Sequence, residues 1–204
     1  MRIVLASESR YRAELLARID LDFDTIAPQV DERSFDGAFA DSTDEAFALA
    51  LAEAKARWVG DELVRRGEQG GAWVLAADQI AVVSDPQRRL LHKPGTAERA
   101  VEQLLELAGR GHALVTGVAL LDAEHGRMLT AVDRVELRMR AFDRAEALAY
   151  VERYAPIDCV GSYRVEDAGI RLMAAIDGAD PTSIIGLPLL TTCRLLREAG
   201  LLPA

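Results

Sequence analysis

Residues 5–16 read LASESRYRAELL. A short apolar strand runs directly into two serines and two arginines, and then into a helix. Strand, polar turn, helix is the geometry that presents backbone N–H groups to an anion, because the first helical N–H groups lack intrahelical partners. The turn has none of the glycines of a P-loop, so it is not that motif. Residues 2–6 supply the strand, Ser9 is the expected N-cap, and Leu15, Leu16 and Ile19 place one helical face over 10–19.

Outward from this stretch, strands alternate with helices. FDTIAP (23–28) is a second extended segment and ends in the acidic turn QVDERSFDG. STDEAFALALAEAKARWV (42–59) reads as a strong helix in which Ser42 and Glu45 form a capping box. After the turn GEQGG comes the β-rich run WVLAADQIAVVS (73–84), with Asp78 and Gln79 at its centre. A helix is expected at about 97–108, then a long hairpin through 113–122 and 128–139 around DAEHG. Asp143 and Glu146 cap a further helix that reaches Tyr154. CVGSYRVEDAGIRLMAAIDGADP (159–181) reads as strand and hairpin, and SIIGLPLL leads into a final helix ended by Gly200. The class is mixed α/β, with helices and hairpins flanking one sheet.

Composition narrows what this chain does. Its 204 residues suffice for one domain, or two closely joined lobes, with a sizeable core. The net charge of −9 argues against a nucleic-acid groove, which needs a broad basic face. No apolar run approaches the ~20 residues of a membrane span, and MRIVLASESR is too short in its apolar part for a secretory leader. Cys159 and Cys193 lack metal spacing and read as thiols of a reducing cytoplasm. Of the 24 basic residues, 22 are Arg and only Lys55 and Lys93 are Lys. Where Arg serves for every ordinary surface cation, the two lysines mark places that suit a compact, three-donor point charge, such as phosphate oxygens. Read alone, they are equally two leftover surface residues.

There is no HExxH, paired CxxC, GxSxG or GxGxxG, and His92, His112 and His125 are scattered. What remains is a dispersed set of carboxylates and cations at element ends. Asp78 is the most informative, since it interrupts an apolar β-run and an unpaired buried carboxylate is costly. It must pair with a cation, hold a metal or act in chemistry. Glu32, by contrast, reads on its own as part of a solvated acidic loop, and Lys55 as a polar-face helix residue.

LASESRYRAELL resembles the opening motif of the Maf family of nucleoside triphosphate pyrophosphatases, LAS-x-S-P-x-R-x-x-LL. The resemblance continues in order through PQVDE, AEAKA, AADQI, HKPG, CVGSY and SIIGLPLL, over nearly the whole chain. It departs at Arg10, where the family has proline. The resemblance implies one domain over 1–204, with a bent mixed sheet flanked by helices and two lobes enclosing a cleft. Ser7, Ser9 and Arg12 match the phosphate-cradling positions, and Lys55 a phosphate-facing lysine. Glu32, Asp78 and Lys93 match the catalytic acidic and basic positions, with Glu32 and Asp78 also the implied ligands of Mg²⁺ or Mn²⁺. Both lysines thus fall on family positions.

Tyr11, Gln79 and Glu166 resemble the combination found in the 7-methyl-GTP pyrophosphatase branch, which commonly has Trp where Tyr11 stands. N7-methylation makes guanine cationic, so an aromatic face gains ~1–2 kcal/mol on it. A carboxylate at 166 accepts the guanine N1–H and exocyclic N–H. The implied reaction is hydrolysis of the α–β phosphoanhydride of a nucleoside triphosphate. Other readings are a dTTP/UTP or broad noncanonical-nucleotide pyrophosphatase, and a non-catalytic nucleotide-binding regulator of septum formation. The expected partner is the nucleotide, not nucleic acid or membrane, and the reading allows a homodimer.

Overall fold

A computed structural model describes residues 1–203. The α-helices and strands, in chain order, are β1 (Arg2–Leu5), α1 (Arg10–Ala17), β2 (Phe23–Thr25), α2 (Asp44–Arg66), β3 (Ala72–Val83) and β4 (Arg89–Leu91). They continue with α3 (Ala97–Leu107), β5 (Gly111–Asp122), β6 (Met128–Met139), α4 (Arg144–Tyr154), β7 (Met173–Asp177) and α5 (Leu189–Glu198). The strands form one mixed sheet in the order β2-β1-β3-β5-β6-β7, with β4 beside β3. β1 lies parallel to both neighbours, with Leu5 opposite Thr25 and Leu75. β4 and β7 pair antiparallel with β3 and β6, the latter across an irregularity at Arg138/Met139. The chain forms two compact units, one of residues 1–79, 116–133 and 180–204, the other of 80–115 and 134–179.

In the first unit, β1 is apolar throughout its buried part because both faces are covered. Ile3 and Leu5 pack with Leu15, Leu16, Leu75, Leu187 and Leu195 on one side. Val4 and Ala6 point the other way, as the period of two requires, and meet Ala52, Ala56, Val59 and Leu63 of α2. The alanines let α2 approach the sheet closely. At Gly117 in β5 there is no room for any side chain, since an added Cβ would overlap the Ala48 carbonyl of α2.

α2 begins one residue later than the sequence suggested. Thr43, not Ser42, is the N-cap and accepts from the Ala46 N–H at 3.1 Å. The Ser42 hydroxyl instead donates back to the Ala38 carbonyl at 2.7 Å. Asp44 and Glu45 in the first turn and Arg65 and Arg66 in the last complement the helix dipole, and Gly67 at φ 69° ends it.

In the second unit α3 buries Ala100, Val101, Leu104 and Leu107 and packs on α4 and on the short 3-10 turn Val160–Ser162. The segment read as strand and hairpin is mostly neither. It holds two 3-10 turns, Val160–Ser162 and Gly169–Leu172, and becomes a strand only at β7. Arg164 organises it, donating to the Tyr154 carbonyl at 3.0 Å and to Cys159 Sγ at 3.2 Å, and pairing with Asp158 and Asp167. Gly169 comes so close to the Arg164 carbonyl that a Cβ would not fit. Among the described residues no helix is long and apolar enough to cross a membrane.

Candidate active site

Two features of the first unit carry its polar chemistry. One is the turn between β1 and α1. Ser7 is buried at 3% exposure, and its hydroxyl accepts from the Ser9 N–H at 3.1 Å. Ser9 caps α1 by accepting from the Arg12 N–H at 3.4 Å. Both serines therefore shape the turn itself. Arg12 Nε donates to the Gly186 carbonyl at 2.8 Å, which fixes the arm of the guanidinium at one point. Tyr11, half-buried, accepts at its hydroxyl from Arg10 Nη2 at 2.9 Å, and the same guanidinium lies 4.7 Å from the ring centroid. The cation that replaces the family's proline thus sits on the aromatic ring.

The other feature is a carboxylate–ammonium–carboxylate cluster. Asp78 on β3 and Lys55 on α2 are both buried, and Lys55 Nζ donates to Asp78 Oδ1. The same ammonium donates to Glu32 Oε1 at 2.5 Å. Glu32 opens the 3-10 segment Glu32–Ala38, capped by Asp31, and its side chain is 44% exposed. The cation thus joins one dry carboxylate to one wet one. This is how the apolar run of β3 tolerates Asp78.

Next along β3, Gln79 Nε2 donates to Thr116 Oγ1 at 3.0 Å and to the Ser183 carbonyl at 2.6 Å. Arg12 and Gln79 therefore both grip the 3-10 turn Ser183–Ile185 and the glycine that follows it. Asp180 shapes that turn, accepting from Thr182 and from the Leu190 N–H. Nearby, burial raises the Asp133 carboxyl above its usual range, partly opposed by the Ser183 hydroxyl and reinforced by the charge of Asp180. Thr116 and Gly186 escaped the reading of the sequence, although SIIGLPLL stood out as a motif.

In the second unit, Lys93 is exposed on the loop after β4, and Glu166 is exposed in the turn that Arg164 organises. Tyr163, three residues before Glu166, is buried and bonds His112 Nε2 through its hydroxyl at 2.8 Å. Burial lowers the His112 imidazole to about 4. Burial also pushes the Cys159 thiol up to about 11, against the pull of Arg164, so it is no nucleophile.

Among the described residues no group of three or more His, Cys, Asp or Glu side chains is placed to hold a metal ion. Glu32 and Asp78 supply two hard oxygen donors that already share one cation. That set suits Mg²⁺, which is held through one or two carboxylates with substrate phosphates and water completing its shell.

A family model described as Maf-like protein matches residues 2–199. The chain is 42% identical over 199 residues to the 7-methyl-GTP pyrophosphatase of Xanthomonas oryzae pv. oryzae (strain MAFF 311018), covering 98% of this chain and 97% of that one. It is 41% identical to the 7-methyl-GTP pyrophosphatase of Xanthomonas campestris pv. campestris (strain 8004), covering 98% and 96%. A protein of the same name from Burkholderia thailandensis is 41% identical, covering 98% and 88%.

Proposed function

The chain belongs to the Maf family, and from that membership we propose that it hydrolyses 7-methyl-GTP to 7-methyl-GMP and pyrophosphate. The observation that carries the chemistry is the buried Asp78 held by Lys55 and backed by Glu32. Asp78 serves as general base. It takes a proton from the water whose oxygen bonds the α-phosphorus, while the α–β bridging bond breaks and pyrophosphate leaves with the electron pair. Arg12, Lys55 and Lys93 meet the charge of the triphosphate, and Ser7 and Ser9 hold the turn that carries Arg12. Glu32 and Asp78 would hold Mg²⁺ or Mn²⁺, which supplies charge neutralisation at the phosphate oxygens. Lys55 gives two of its three ammonium donors to Glu32 and Asp78 and has the third for phosphate.

Tyr11, Gln79 and Glu166 select the base. A methylated, cationic guanine gains on the face of Tyr11, and Glu166 accepts from its N–H groups. The reading entails a cytoplasmic protein acting on free nucleotides, and the net charge of −9 supports the absence of a nucleic-acid partner.

The test is pyrophosphate release from 7-methyl-GTP, GTP, UTP and dTTP in Mg²⁺ and in Mn²⁺. The expected result is the highest kcat/KM for 7-methyl-GTP. Turnover of no triphosphate overturns the enzyme, and a preference for UTP or dTTP overturns the substrate.

A further inference from the structure

We propose that Thr116 is a positioning residue that holds the Gln79 amide in the orientation the Ser183 carbonyl selects, so that Gln79 offers the nucleotide an acceptor and reads the 2-amino donor of guanine. The inference rests on the reading of this chain as a 7-methyl-GTP pyrophosphatase and adds the polarity of one of its base contacts.

The orientation of a glutamine amide follows from its partners. The Ser183 carbonyl, 2.6 Å away, accepts and never donates, so the atom that faces it is the nitrogen. A flipped amide would set two carbonyl-type oxygens against each other there. The second N–H goes to Thr116 Oγ1 at 3.0 Å. Thr116 is 1% exposed on β5, where its methyl and hydroxyl are both enclosed and the hydroxyl cannot turn away to water. Both donors of Gln79 are thereby occupied within the protein. Gln79 Oε1 has no donor among the described residues.

The free oxygen and the Arg12 arm both lie beside Gly186. A Cβ built at Gly186, where φ is 109°, would lie 3.9 Å from Gln79 Oε1 and 3.5 Å from Arg12 Nε. The acceptor and the guanidinium arm thus border the same gap, kept open by the missing side chain. A nucleotide whose phosphates meet Arg12 has its nucleoside within reach of an acceptor. That polarity matches guanine, whose 2-amino group donates, and not hypoxanthine, which lacks that group.

Two measurements test this. The first is kcat/KM for 7-methyl-GTP and 7-methyl-ITP, which differ only in the 2-amino group, in the wild type, Thr116→Val and Thr116→Ser. The wild type should prefer 7-methyl-GTP by ~10-fold or more, the worth of one well-made hydrogen bond. Thr116→Val keeps the shape but removes the second of the two bonds, so the amide pivots about the Ser183 carbonyl and its Oε1 leaves the place where the base would meet it. The preference should fall below ~3-fold, through KM rather than kcat, and Thr116→Ser should restore it. A preference that survives Thr116→Val, or an equal loss on both substrates, overturns the proposal. So does a wild type that hydrolyses both equally, although that result leaves the pyrophosphatase reading standing.

The second measurement needs no nucleotide. The Gln79 side-chain amide protons, assigned in the ¹H–¹⁵N spectrum by their loss in Gln79→Leu, should be protected from exchange in the wild type and Thr116→Ser but not in Thr116→Val. Unprotected protons in the wild type overturn the clamp even if no triphosphate is turned over.

Discussion

The Lys55 ammonium and the Asp78 carboxylate pair at 6% and 4% exposure, so each offsets the cost of burying the other. Glu32, the second partner of Lys55, is wet and contributes far less to that balance. Removing one member of a buried pair costs about 3–5 kcal/mol, because the survivor is left uncompensated. Lys55→Met should therefore lose about that much in urea unfolding. The double variant Lys55→Met/Asp78→Asn should recover most of it, since the stranded charge has gone. A cost below about 1 kcal/mol for Lys55→Met would show that water or another cation balances Asp78.

Asp78→Asn should abolish turnover in a protein that still folds, with its stability lowered by the stranded Lys55 ammonium that Glu32 only partly offsets. The amide keeps the shape but takes no proton at neutral pH, and the expected loss is at least ~10²-fold in kcat. Pyrophosphate release and a thermal melt of the same preparation check it. Near-normal activity in a cooperatively melting variant would remove Asp78 from catalysis.

Arg10 and Tyr11 lead to a prediction with a definite sign. A guanidinium already stacked on the ring competes electrostatically with a cationic base on the other face. Arg10→Ala should raise the preference for 7-methyl-GTP over GTP, in kcat/KM, by roughly 2–5-fold, the worth of an exposed cation–π contact. Tyr11→Ala should reduce that preference toward unity. A lower preference in Arg10→Ala would mean that the guanidinium holds the ring in place for the base.

His112 makes stability depend on pH. Its imidazole titrates at about 4 in the folded protein, from burial, against 6.5 when exposed. The unfolded chain therefore binds the proton first as pH falls. The stability present above pH 6.5 drains away between there and about 4, by about 3 kcal/mol in all. His112→Phe, which cannot titrate, should show a correspondingly shallower fall in unfolding free energy over that window. Parallel curves for the two proteins would mean that His112 is protonated in the fold.

The elements legible in the sequence are those fixed by local pattern. The β1–α1 turn, the apolar interior of β3 and the β5–β6 hairpin all follow from periodicity and turn residues a few positions apart. Residues 159–172 suggest strand by their β-branched and aromatic residues, whereas one arginine gathers the surrounding carbonyl, thiol and carboxylates into 3-10 turns. Ser42 does not cap α2 because its hydroxyl is turned back to donate to the Ala38 carbonyl, which leaves Thr43 to accept from the Ala46 N–H. In the site, Asp78 announced itself as a charge in an apolar run. That Lys55 would be its partner, and that Thr116 and Ser183 would hold Gln79, depends on contacts 23, 37 and 104 residues apart. Sequence spacing carries no trace of these.

Gly117 lends no side chain to the proposed chemistry, yet α2 rests its backbone on that glycine, and Lys55 lies two turns further along the same helix. In a saturation library, codon 117 should accept no replacement, not even alanine. Those clones should disappear for lack of protein in the cell, whereas clones with Asn at codon 78 and Met at codon 55, the buried pair removed together, should persist as abundant, silent protein. Abundance and turnover, scored separately, would thus sort a spacer from a reagent without a single purified variant.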